Sequence, residues 1–79
     1  MILLNEYLLI IIMNRKLGKK IKQKRQELGL SQEKLGELSK LHRTYISLLE
    51  RGLKSPTILT TNKIAKALNM NISELLEGL

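Results

Sequence analysis

Seventy-nine residues with a formal net charge of +7 and no cysteine describe one small basic domain. A chain this short buries only about 60% of its unfolded surface, so a partner subunit is an expected source of stability. With no Asp, no Cys and a single His, it cannot assemble a Ser-His-Asp triad or a zinc site, and neither an enzyme, a metal nor a cofactor is expected.

The chain opens on "MILLNEYLLIIIM". Its longest unbroken apolar run, Tyr7 to Met13, is seven residues, far below the roughly 20 that a membrane span needs. Asn5 and Glu6 interrupt it, no basic residue precedes it and no small-residue cleavage site follows, which argues against a signal peptide. Two readings stand. The segment is a β-prone or helical arm that packs on a partner subunit, or Met13 is the initiator and "MNRKLGKK" the beginning. Residues 1–14 are therefore set apart, as an apolar extension or a mis-assigned start, from a domain at 15–79.

Between Arg15 and Arg25 lie seven basic residues and no acidic one, while Gln26 to Leu79 carries seven Lys or Arg against six Glu. Such a cluster suits a polyanion, either nucleic acid or an anionic membrane surface, unless it is only a solvated helix face.

The first predicted helix runs from about Leu17 to Leu28, with Leu17, Ile21 and Leu28 on one stripe and Lys19, Lys20 and Lys22 outward. Gly29 ends it, with Leu30 as the hydrophobic contact of the cap. Ser31 caps a second helix, Gln32 to about Ser39, whose expected buried pair is Leu35 and Leu38. Gly36 costs roughly 1 kcal/mol of helix propensity, which points to another backbone passing close by. Lys40-Leu41-His42 makes the turn into a third helix, "LHRTYISLLERG". At 100° per residue Tyr45, Ile46 and Leu49 gather on one arc with His42, and Arg43, Thr44, Ser47, Leu48 and Arg51 on the other. After the loop Ser55-Pro56-Thr57, Thr57 caps a fourth helix, Ile58 to Leu68, that should bury Ile58, Ile64, Ala65 and Leu68. Asn71-Ile72-Ser73-Glu74 is a capping-box variant opening a short fifth helix, with Leu75 and Leu76 inward and Gly78 as terminator. No segment alternates with period two. The fold class is all-α, a compact five-helix bundle.

Two short helices joined by a three- to four-residue turn, with a small residue at the crossing, form a helix-turn-helix. Leu35, Leu41, Ile46 and Leu49 fill the wedge, and Arg43, Thr44, Ser47 and Leu48 are left outward. That face suits the major groove, where Arg pairs bidentately with guanine and Leu48 meets a thymine methyl.

From Leu17 to Leu79 the chain resembles the Cro/C1-type (XRE family) helix-turn-helix domain of phage repressors and bacterial regulators, in the lambda-repressor-like fold. The residues that carry the likeness are "SQEKLGELS" at 31–39, "ISLLERG" at 46–52, "SPT" at 55–57, "KIAKAL" at 63–68 and "NISELLEG" at 71–78. "LHRTYIS" with "ERG" is also similar to the controller proteins of restriction-modification systems. The resemblance implies base readout by Arg43, Thr44 and Leu48, and phosphate contacts by Gln32, Ser47 and Lys54. It implies, further, a pair between Arg25 and Glu50. A recognition helix at about 42–51 would then serve a cytoplasmic, nucleoid-associated regulator that binds double-stranded DNA as a homodimer, with no small-molecule ligand and no membrane. The alternative is a protein-interaction module such as an antitoxin component. Two departures stand out: His42 where a Ser or similar N-cap is usual, and Thr61 where an apolar residue is usual.

Overall fold

The computed structural model describes residues 2–79, with side chains from residue 5 onward; Met1 and the first side chains of the apolar opening lie outside the described residues. The element order is α1 (Ile2–Glu27), α2 (Gln32–Ser39), α3 (Arg43–Glu50), α4 (Ile58–Ala67) and α5 (Ile72–Leu76). There is no strand among the described residues.

The largest difference from the sequence reading is α1, which begins some 15 residues before the expected start at Leu17. The run Ile10-Ile11-Ile12 lowers helix propensity through its stiff β-branched side chains, which left a β-prone arm open. No Gly or Pro interrupts the chain before Gly18, and the helix propagates through. It ends where expected, with Gly29 left-handed at φ 69° and the Leu30 N–H donating to the Arg25 carbonyl at 3.0 Å.

The core is built by Leu17 and Ile21 of α1, Leu35 of α2, Ile46 and Leu49 of α3, Ile64, Ala65 and Leu68 around α4, and Leu75 of α5. Leu41 and Tyr45 pack against it from the side. Four expected core residues are exposed instead: Leu28, Leu38, Ile58 and Leu76. Leu38, Ile58 and Leu76 lie at the edge of an apolar arc, and short helices in a bundle this small cover only the centre of each arc, whereas Leu28 follows the last residue of α1 and sits in the turn. Thr61 is buried without thinning the core to a polar hole. Its hydroxyl donates to the Thr57 carbonyl at 2.8 Å, and no buried side-chain polar atom among the described residues lacks a partner.

The caps follow the sequence. Ser31 Oγ accepts from the Lys34 N–H at 2.9 Å, Thr57 Oγ1 from the Thr60 N–H at 3.1 Å, and the Glu74 carboxylate from the Asn71 N–H at 2.9 Å. At α3 the sequence suggests a weakened start, yet His42 takes the cap itself, its Nδ1 accepting from the Thr44 N–H at 3.0 Å. Lys20 reaches across from α1 to the Glu74 carbonyl at 3.1 Å and to the Glu77 carbonyl, placing positive charge on the C-terminal end of α5.

Candidate nucleic-acid interface

Two glycines set the angle at which α3 leaves the body. A Cβ on Gly36 would stand 2.5 Å from the Leu41 carbonyl oxygen, so the turn closes against α2 only because that atom is missing. The Leu41 N–H then donates to the Gly36 carbonyl at 2.8 Å. Gly18, which the sequence reading passed over inside the basic cluster, does the same for α1. A Cβ there would meet the Leu49 carbonyl, and the Glu50 carbonyl at 2.8 Å. Helix α3 is thus held backbone-to-helix on both of its buried sides.

A buried ion pair fixes its C-terminal end. Arg25 Nε donates to Glu50 Oε2 at 2.6 Å and Arg25 Nη2 to Glu50 Oε1 at 3.0 Å, a bidentate fork. Nη1 donates to the Leu30 carbonyl at 2.8 Å, tying the α1–α2 turn into the same node. The Glu50 side chain is 2% exposed. Its hydrogen bonds raise the Arg25 pKa, outweighing the desolvation that lowers it, and the charge attraction adds to the rise. Gln32, the first residue of α2, joins the node by donating from Nε2 to Glu50 Oε1 at 3.1 Å. Nε2 keeps a second hydrogen, directed by the first.

Around this node lies an open cleft of about 590 Å³ lined by Arg25, Ser31, Gln32, Glu33, Arg43, Thr44 and Ser47. The first residues of α2 and of α3 both face it. Two eight-residue helices therefore bring their N-terminal dipole ends to one place, a setting that favours an anion such as phosphate. Of the six sequence-predicted site residues, Gln32, Arg43, Thr44 and Ser47 are brought together here. Leu48 lies further along α3 and is half-buried. Lys54 stands apart in the loop after α3, exposed. Arg43 is exposed, and its Nη1 stands 3.7 Å from a carboxylate oxygen of Glu33, also exposed. The sequence reading placed Glu33 only as a favourable first-turn acid. Its neighbour across the cleft becomes visible once the crossing of α2 and α3 is known.

No helix among the described residues is long and apolar enough to cross a membrane, and no three His, Cys, Asp or Glu among them cluster as metal ligands. A propped helix that presents Arg43 and Thr44 exposed at its start, with half-buried Ser47 beside them, is the geometry of a helix-turn-helix protein.

Comparison with known proteins agrees. The helix-turn-helix family model HTH_3 matches residues 21–75. The chain is 43% identical over 60 residues to the control protein C.SmaI of Serratia marcescens, covering 76% of this chain and 71% of that protein. It is also 43% identical over 61 residues to the control protein C.BamHI of Bacillus amyloliquefaciens, covering 76% of this chain and 75% of that one. Among solved structures, the restriction-modification controller protein C.AhdI of Aeromonas hydrophila superposes with a TM-score of 0.77 at 37% identity, over 78% of this chain and 94% of that chain. This chain belongs to the HTH_3 (XRE-type) helix-turn-helix family, and it is a DNA-binding transcriptional regulator rather than an enzyme.

Proposed function

We propose that the protein is a controller-type regulator that binds a two-fold operator as a homodimer, with α3 in the major groove. The observation that carries the reading is the cleft itself: Gln32 at the start of α2 and Ser47 on α3 line it together with Arg43 and Thr44, the exposed first residues of α3, Arg43 standing 3.7 Å from the Glu33 carboxylate. In this reading Arg43 presents its planar fork to guanine O6 and N7, Thr44 bonds or touches a neighbouring base edge, and Leu48 meets a thymine methyl. Gln32 and Ser47 grip the phosphate that settles over the cleft, and Lys54 meets a second one. One recognition helix spans too few base pairs for useful specificity, so two copies bind half-sites roughly 34 Å apart or a multiple of that. Similarity to proteins named as restriction-modification controllers favours that regulatory setting over an antitoxin.

Selection of bound duplexes from a random DNA pool tests the proposal. It should return an inverted repeat with a guanine at a fixed place in each half. A pool that stays unenriched would overturn it.

A further inference from the structure

Sequence periodicity places Leu38 in the core, and the fold leaves it 49% exposed. On α2 it stands about 140° around the helix from Glu33, which lines the cleft at α3. It faces α4 instead, across a second open groove of about 610 Å³. Leu38, buried Ser39 and half-buried Ala67 line this groove together with three exposed lysines, Lys40, Lys63 and Lys66. The Ser39 hydroxyl is turned away, donating to the Leu35 carbonyl at 2.7 Å.

No carboxylate answers those lysines. None of the ion pairs among the described residues involves them, whereas Lys34 on α2 stands 3.5 Å from Glu37 and Lys24 on α1 stands 4.0 Å from Glu27. The sequence holds no Asp or Glu between Glu50 and Glu74. All of α4, with the loops on either side of it, therefore carries positive charge alone.

We propose that this groove docks an acidic segment of a second protein, whose bulky apolar side chain covers Leu38 and Ala67 while its carboxylates meet Lys63 and Lys66. Apolar surface and uncompensated positive charge stand side by side here, and a segment that carries both an apolar group and negative charge answers both. A duplex would answer the lysines only, because its phosphates offer Leu38 nothing apolar. The groove also shares no lining residue with the cleft at α3. It lies on the other flank of α2, so a duplex seated on α3 leaves it open. The inference goes beyond the operator reading and does not depend on which bases are touched.

The test titrates the full chain, labelled with nitrogen-15, with an Asp-Glu-Leu-Leu-Glu-Asp peptide and with its Asp-Glu-Ser-Ser-Glu-Asp counterpart. Amide shifts caused by the Leu peptide should centre on Leu38, Ser39 and residues 63–67. Fluorescence anisotropy should show its binding weakened about tenfold by Lys63→Glu with Lys66→Glu. Leu38→Ser, or the Ser peptide on native protein, should weaken it about fivefold. All three substituted positions are exposed, so helical content by circular dichroism should stay native, and Leu38→Ser should leave duplex affinity unchanged. Absence of binding by native protein, shifts centred on Arg43 or on the basic stretch of α1, or native affinity in the double Glu variant would overturn the proposal. Equal affinity for the two peptides would overturn it by showing charge attraction alone. A scrambled duplex that shifts the same amides would assign the groove to the nucleic-acid backbone instead. Sedimentation in which the double Glu variant breaks a native dimer would assign it to a second copy, and would equally overturn the proposal.

Discussion

Replacing Glu50 by Ala should be among the most damaging single changes in this chain. The carboxylate, 2% exposed, receives Arg25 Nε, Arg25 Nη2 and Gln32 Nε2. Ala removes both acceptor oxygens, and with them all three hydrogen bonds, and leaves a guanidinium whose side chain is only 11% exposed. Its one remaining bond is to the Leu30 carbonyl. Removing one member of a buried pair costs about 3–5 kcal/mol, because the remaining charge has lost both water and partner. A domain of 79 residues has a total stability of roughly 4–12 kcal/mol. The variant should therefore be unfolded in part at room temperature, or melt far below the native protein. Urea unfolding followed by helical circular dichroism measures the loss. The companion double variant, Arg25→Met with Glu50→Leu, removes both charges and should recover most of it, since apolar replacements of buried pairs are often neutral or better. An Ala variant within 1 kcal/mol of native, or a double variant no more stable than Glu50→Ala, would refute the account of the node as a desolvated ion pair.

Gly18→Ala should destabilise by several kcal/mol despite the better helix propensity of Ala, because the new methyl strikes backbone carbonyls of Leu49 and Glu50 rather than a movable side chain; a thermal melt at or above the native one would contradict it. Gln32→Ala should weaken every duplex alike while leaving the salt slope unchanged, because a neutral amide releases no counterion; filter binding at several salt concentrations checks this. Glu33→Gln should shift stability by under about 0.5 kcal/mol, since the pair with Arg43 is exposed. The same substitution should tighten binding to scrambled DNA by removing a negative charge from the cleft, narrowing the specificity ratio.

The helix-turn-helix was legible because local chemistry and global packing agree there. Ser31, Thr57 and Glu74 are capping residues that cap, and Gly36 is a helix glycine with a close backbone beside it. Burial was legible at the centre of each apolar arc, in Leu35, Ile46, Leu49 and Ile64, and illegible at the edges, where Leu38, Ile58 and Leu76 stand exposed. Periodicity tells which way a side chain points, and neighbouring helices decide how wide a stripe they cover. Gly18 and the Glu33–Arg43 contact depend on which helices cross and where, information that no window of sequence contains. The length of α1 turned on a β-branched run between good helix formers, a contest that propensity alone leaves nearly level. The candidate DNA contacts came from resemblance and from the outward arc of α3, and the cleft brings four of those six residues together.

The central claim, that α3 reads bases while the following loop holds the backbone, is tested most directly by titrating Arg43→Ala and Lys54→Ala against cognate and scrambled duplexes at several salt concentrations. Arg43→Ala should lose about 1–3 kcal/mol on the cognate duplex and little on the scrambled one, with preference relaxed at one base position. Lys54→Ala should weaken both about equally and lower the magnitude of the salt slope by roughly one unit. Equal loss on both duplexes for Arg43→Ala would contradict the claim.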